Sequence, residues 1–381
     1  MRSVFVPKEE AAGETRVAAT PETVRRLVKE GFSVTCARGA GAAAHFSDEA
    51  LAAAGATITE DVVAAWQAAD VVLCVQPPKV ERALLLKQGA VLIGFMQPHR
   101  QLTLVRTLRD RGTSTLALEL LPRITRAQPM DALSSQASVA GYKAVLVAAE
   151  RLDKFFPLLM TAGGTIQPAR VVVLGAGVAG LQAVATARRL GAVVEVSDVR
   201  PEVKEQVQSI GGRFIDLPGA ESGAGAGGYA KEMSAEFLAR QRATLHERIV
   251  QADVVICTAL VPGRPAPRLV EEATVRAMRP GAVVVDLAVV EGGNCALSVL
   301  GQEVEVGGVR ILGPANLPAT MPQDASLLYA RNVLALLLHV AGRGDPIQFD
   351  LADEIVRGVL LTHKGEVLHA PTAARLGGGP A

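Results

Sequence analysis

The sequence carries almost no excess of charge: its formal net charge is +1, which offers no electrostatic reason to expect nucleic acid as a partner. Cysteine is sparse too. The four cysteines, Cys36, Cys74, Cys257 and Cys295, lie far apart, form no CxxC pair and do not gather with any of the six histidines, so no metal site is expected. Cys36, Cys74 and Cys257 sit in or beside apolar strand-like runs, the usual setting of a buried reduced thiol. The N-terminus, MRSVFVPKEE, lacks an apolar signal core. Long uncharged stretches are almost absent as well. Val171 to Ala187, between Arg170 and Arg188, approaches the length of a membrane span, but its glycines, Gln182 and a following acid describe something else. No other stretch reads as a span, and the chain is expected to be soluble.

What is present is a dinucleotide-binding unit. In RVVVLGAGVAGLQAVATARRLGAVVEVSDVRP, Val171 to Leu174 read as a buried strand, Gly175, Gly177 and Gly180 supply GxGxxG, and Asp198 follows the next apolar run, Val193 to Val196. Each position has a physical role. Gly175 permits a tight turn, Gly177 lets backbone approach a pyrophosphate, and Gly180 lets helix and strand pack closely. The N–H groups at the helix start face the phosphates, and Asp198 accepts hydrogen bonds from a ribose.

A length of 381 residues favours two domains, and 49% hydrophobic with 20% charged residues describes a packed globular chain. Before the fingerprint, apolar runs at Val4 to Val6, Ser33 to Cys36, Asp70 to Val75, Ala90 to Met96 and Thr115 to Leu120 alternate with helical patterns. After it they resume at Arg213 to Asp216, Asp253 to Thr258, Ala282 to Leu287 and Val309 to Leu312. The rhythm predicts an α/β fold of two doubly wound, Rossmann-like domains with parallel sheets and a cleft between them. The first comprises residues 1–135 and 325–381, the second is the insertion 136–324, and helices over about Asp131 to Phe155 and Asp324 to Gly342 join them. Arg38 to Ala42 lacks a third glycine and reads as a turn; the final PTAARLGGGPA reads as a frayed tail.

The densest polar cluster is PRITRAQPMDALSSQ, with Arg123, Gln128, Asp131, Ser134, Ser135 and Gln136 just before a helix. Asp131 is equally well placed as a helix N-cap, with Ser134 and Ser135 in the first turn and Arg123 a surface charge.

Taken with GAGVAGLQA and DVRP, GGYAKEMS, TALVPGRPAP, VVVDLA with EGGN, and NLPATMPQDAS, this segment resembles the NAD(H)-binding first domain of the proton-translocating nicotinamide nucleotide transhydrogenases. The six blocks span nearly the whole chain. The resemblance implies that hydride passes directly between NAD(H) on this chain and NADP(H) on a partner, while separate membrane subunits conduct protons. Arg123, Gln128, Asp131 and Ser134 match the RxxxxQxxDxxS motif that surrounds the nicotinamide and its ribose. Gly175, Ala176, Gly177, Val178, Gly180, Asp198, Val199, Arg200, Ala259 and Leu260 are the other expected cofactor contacts, and Tyr229 belongs to a glycine-rich mobile loop, Leu217 to Glu236, that closes on NAD(H). Asp198 with Arg200, in DVRP, goes with NAD(H) rather than NADP(H). The resemblance further implies a homodimer, an NADP-binding beta-type subunit and a membrane-spanning subunit as partners, and a cytoplasmic position peripheral to the inner membrane.

Alanine dehydrogenase shares the architecture, the opening VPKE and the ETRVAATP segment. Amino-acid oxidation moves a proton as well as a hydride and needs titrating groups beside the substrate. By motif, the family's lysine position falls at Gln76, its histidine at Gln97 and its aspartate at Val290, so all three have lost an ionisable group. Arg16, the carboxylate-binding arginine of that family, remains, with a structural role now favoured. An NAD-dependent amino-acid dehydrogenase and an NAD-sensing regulatory module are the competing readings.

Overall fold

The computed structural model describes residues 2–217, 234–261, 264–342 and 347–377. The chain divides into two compact units, 1–136 with 318–381, and 137–317.

The first unit is built on an eight-stranded sheet in the order Glu366–Val367, Leu360–His363, Ser114–Ala117, Val91–Gly94, Val71–Leu73, Arg2–Val6, Phe32–Ala37, Ala56–Thr59. The six strands from Ser114–Ala117 to Ala56–Thr59 are parallel, and the direction of winding reverses between Val71–Leu73 and Arg2–Val6. Both faces are covered, which is why VVL and VLIG are buried at every position instead of alternating. Phe5 meets Trp66 edge to face, with ring centroids 5.9 Å apart.

Two expectations fail in this unit. Pro322–Ala341 is a 20-residue helix long and apolar enough to cross a membrane by length and composition, although no stretch beyond Val171 to Ala187 read that way. Its apolar face, Tyr329, Val333, Leu336, Leu337 and Val340, packs into the core of the unit. The C-terminal segment, expected to fray, is ordered over its first residues. Ala370–Leu376 is a helix that buries Thr372, because Pro371 presets its first turn and His369 Nδ1 shares a 2.7 Å hydrogen bond with the Thr372 hydroxyl. Leu376, partly buried, packs against the core of the unit.

The second unit holds a seven-stranded sheet in the order Arg213–Phe214, Val193–Ser197, Arg170–Leu174, Val254–Cys257, Val283–Asp286, Val309–Leu312, Glu303–Val306. All pairings are parallel except the last, so each sheet has an antiparallel edge beside a parallel body. Val171 to Ala187, the stretch of near-span length, is strand, turn and helix: Arg170–Leu174 followed by Val178–Arg189. The winding reverses between Arg170–Leu174 and Val254–Cys257, which run in register from Val171 opposite Val254 to Leu174 opposite Cys257. A doubly wound sheet opens a ligand crevice at the carboxyl ends of such a strand pair. A separate hairpin, Leu159–Thr161 with Gly164–Ile166, pairs with no third strand among the described residues.

Candidate functional site

The fingerprint turn leaves the carboxyl end of Arg170–Leu174, and its three glycines are required for three different reasons. Gly175 has φ +99°, and a Cβ there would lie 2.8 Å from Thr258 Oγ1 and 3.0 Å from the Ala259 nitrogen. Gly180 is the tightest: a Cβ would stand 1.9 Å from the Gly175 carbonyl oxygen. Gly177 is extended, at φ −77° and ψ −171°, and a Cβ there would meet nothing within 4 Å. Its lack of a side chain therefore keeps that space open. Helix Val178–Arg189 begins at Gly177 without a side-chain cap, leaving first-turn N–H donors for an anion. Helix Ala132–Arg151 passes so near that a Cβ at Gly141 would lie 2.1 Å from the Ala179 carbonyl oxygen.

Asp198 stands at the end of the next strand, nearly buried. Its Oδ2 accepts from the Ala176 N–H at 2.7 Å, tying the acid to the glycine turn. Arg200 folds back onto the same carboxylate, with Nε 2.9 Å from Oδ1 and Nη2 2.8 Å from Oδ2, and its own N–H at 2.9 Å from Oδ1. Hydrogen bonding to Asp198 raises the arginine's pKa. The guanidinium is thus committed to Asp198, which weakens its case as a 2′-phosphate receptor.

Two residues that sequence reasoning left without a role complete this corner. Thr258 Oγ1 lies 3.1 Å from the Leu174 oxygen and 3.0 Å from that of Gly175. Asn294, fully buried, accepts from the Ala259 N–H and donates to the Ala259 oxygen, both at 2.9 Å, and to the Pro267 oxygen at 2.8 Å. Together they hold Ala259 beside Gly175. Asn294 closes the EGGN block, directly after Gly292 and Gly293. Tyr229 and the GGYAKEM segment lie outside the described residues.

Arg123, Gln128, Asp131 and Ser134 all belong to the first unit. Thr125–Met130 forms a 3-10 turn anchored by buried Ala127 and Met130, while Gln128 and Pro129 are exposed. Asp131 caps the helix that follows: Ser134 donates its N–H to Oδ1 at 2.9 Å and its hydroxyl to Oδ2 at 2.6 Å. Asp131 and Ser134 thus form one preorganised pair, and Arg123 is exposed.

Gln76 and Gln97, far apart in sequence, meet in the same unit: Gln97 Nε2 donates to Gln76 Oε1 at 3.2 Å, with Gln97 in the left-handed region at φ +47°. Gln76 Nε2 donates to Glu14 Oε2 at 2.8 Å. Arg16, 3% exposed, is fully engaged, placing Nε and Nη2 on Glu14 and Nη1 on Gln136 Oε1 at 2.8 Å. Burial alone would raise the Glu14 carboxyl, but the Arg16 contact holds it down at about 2. Burial lifts Glu9 to about 7 and also raises Glu119. A cavity of about 380 Å³ opens nearby, lined among others by Glu9, Trp66, Gln76 and Arg82.

Comparison with known proteins places the chain in a family. The family described as alanine dehydrogenase/PNT, N-terminal domain, matches residues 5–140, and alanine dehydrogenase/PNT, C-terminal domain, matches residues 144–370. The chain is 43% identical over 372 residues to the NAD(P) transhydrogenase subunit alpha of Cereibacter sphaeroides, covering 97% of this chain and 71% of that one. It is 28% identical to the alanine dehydrogenase of Bacillus subtilis, over 98% of this chain and 94% of that one. The crystal structure of a transhydrogenase from Sinorhizobium meliloti superposes with a TM-score of 0.85 at 42% identity, covering 97% of this chain and all of that one.

Proposed function

The chain belongs to the alanine dehydrogenase/PNT family, and from that premise we propose that it is the NAD(H)-binding subunit of an NAD(P) transhydrogenase, exchanging hydride with NADP(H) held by a partner subunit. The observation that carries the reading is the pair of hydrogen-bonded amides, Gln76 and Gln97, where an amino-acid dehydrogenase needs titrating groups. Hydride exchange between two nicotinamides leaves no substrate proton to move, so neutral amides suit it and would disable the alternative.

The residues present fit the cofactor. Open space over Gly177 and the uncapped helix start suit a pyrophosphate, and Asp198 would accept from a ribose hydroxyl by exchanging one of its contacts to Arg200. The nicotinamide supplies the hydride chemistry itself. The protein would hold and orient: Gln128, which is exposed, would meet the ring region, and Arg123 with the paired Asp131 and Ser134 would hydrogen-bond the carboxamide and ribose. Val178, Val199, Ala259 and Leu260 would be further contacts to the cofactor. Proton translocation belongs to separate membrane subunits, with this chain acting as a homodimer at the cytoplasmic membrane face.

The test mixes the purified chain with the NADP-binding chain of its complex and follows hydride transfer from NADH to an NADP analogue. Transfer well above background is expected, and Gln128→Asn should lower it; no transfer refutes the proposal. Oxidation of NADH by this chain alone with pyruvate and ammonium would establish the dehydrogenase reading instead.

A further inference from the structure

A continuous series of hydrogen bonds crosses the interior of the first unit and ends on the segment that carries Gln128. From Gln97 it passes through Gln76 to Glu14, and from Glu14 through Arg16 to Gln136. The Gln136 amide donates to the Ala325 oxygen at 3.0 Å and to Ser135 Oγ at 3.3 Å. Ser135 Oγ donates to Asn332 Oδ1 at 2.7 Å, a shorter contact than its 3.2 Å alternative to the Ala132 oxygen. Asn332 Nδ2 completes the series by donating to the Pro129 oxygen at 2.8 Å.

The last link is the informative one. Asn332 is 9% exposed on the helix Pro322–Ala341, among Tyr329, Val333 and Leu336. A buried amide there is unfavourable unless both its polar atoms are matched, and here one is oriented by a serine while the other grips a loop. Proline has no N–H, so at Pro129 the carbonyl is the one main-chain group that another residue can hold by hydrogen bonding. The neighbour on one side is Gln128, and two residues on the other is Asp131, whose carboxylate is capped by Ser134. Moving the Pro129 carbonyl therefore moves both.

We infer that Asn332, oriented by Ser135, is a positioning residue for hydride transfer: by holding the Pro129 carbonyl it sets the direction of Gln128 and of the Asp131–Ser134 pair without itself touching the nucleotide. The inference rests on the transhydrogenase reading. It also gives Gln76 and Gln97 a purpose. Amides keep one hydrogen-bonding pattern at every physiological pH, whereas a histidine at the far end of the series would change its own.

The test uses the full chain with its NADP-binding partner chain, comparing wild type, Asn332→Leu, Ser135→Ala and the double variant. Asn332→Leu fills the core volume, and Ser135 retains the Ala132 oxygen as acceptor. Thermal melting reports folding, NADH fluorescence the affinity, and stopped-flow the transfer rate at saturating nucleotides. Expected are NADH affinity within about threefold of wild type and transfer slowed about 10- to 100-fold in Asn332→Leu. Ser135→Ala should lose less, and the double variant no more than Asn332→Leu, because both act through one carbonyl. Unchanged transfer in a folded Asn332→Leu overturns the inference, as does an equal fall in affinity and rate. Failure of wild type to transfer hydride, seen before any variant is compared, removes the functional reading and this inference with it.

Discussion

Gly177→Ala separates a glycine needed for a ligand from one needed for the fold. At φ −77° and ψ −171° alanine is unstrained, and its Cβ would meet nothing within 4 Å. Folding should be untouched or slightly favoured, by about 0.4–1 kcal/mol, because alanine restricts the unfolded chain. Binding should not be. A phosphate oxygen accepting from backbone N–H sits about 2.9 Å from nitrogen, and a methyl in that approach requires about 3.5 Å from carbon to oxygen. The pyrophosphate must retreat and stretch at least one bond to a charged group, each worth about 1.5–3 kcal/mol. That is about a 10- to 100-fold weaker NADH dissociation constant. The assay pairs a thermal melt of the nucleotide-free chain with an NADH fluorescence titration. An affinity within twofold of wild type, in a variant that melts normally, would refute the placement of the phosphates over this turn.

Gly180→Ala should do the reverse, because a Cβ 1.9 Å from the Gly175 carbonyl oxygen forces helix Val178–Arg189 off its strand; a cost of about 3 kcal/mol is expected, and an unchanged urea midpoint would contradict it. Arg16→Ala leaves the enclosed Glu14 carboxylate without its cation and should destabilise by about 3–5 kcal/mol near neutral pH. Glu14 is held at about 2 against an ordinary 4.5, so its contribution is complete above 4.5 and lost as pH falls through 2; the Arg16→Ala deficit should shrink over that window in denaturant titrations. Glu9 has the opposite sign: with its carboxyl raised to about 7, the folded state binds the extra proton between 4.5 and 7 and stability declines as pH rises through that range, a slope that Glu9→Gln should flatten. Phe155, Leu158, Met160 and Ile166 expose apolar surface on and beside the hairpin, which pairs with no third strand among the described residues, Met160 at 73%; two strands are marginal alone, and a second copy of this chain is the occupant under the proposed homodimer. Met160→Asp should move the chain from dimer to monomer in analytical ultracentrifugation, and an unaltered sedimentation coefficient would remove this hairpin from the interface.

Much of this protein was legible from local pattern. Runs such as VVVL and VVIC are strands at nearly the expected limits because a strand covered on both faces must be apolar throughout. Shorter elements escaped: Glu303–Val306 and the strands of the Leu159–Ile166 hairpin are exposed and only three or four residues long, too short for their apolar residues to mark a period, and Ala370–Leu376 folds on a proline and one histidine–threonine contact. At the site, Asp131 was open between helix cap and ligand contact. Its carboxylate proves to be the cap, built from the same serine that the motif singled out.

The sequence by itself determined the glycine turn, the acid after it and the loss of titrating groups at Gln76 and Gln97, because each follows from a residue's own backbone or chemistry. Only the tertiary structure decided what those residues touch. Arg16 reaches Gln136 across 120 positions and Asn332 reaches Pro129 across 203; such hydrogen bonds have no period along the chain, and they exist only once strands and helices have brought their ends together. The amides at 76 and 97 were visible as an absence of acid and base, and folding turned them into the first links of the support behind Gln128.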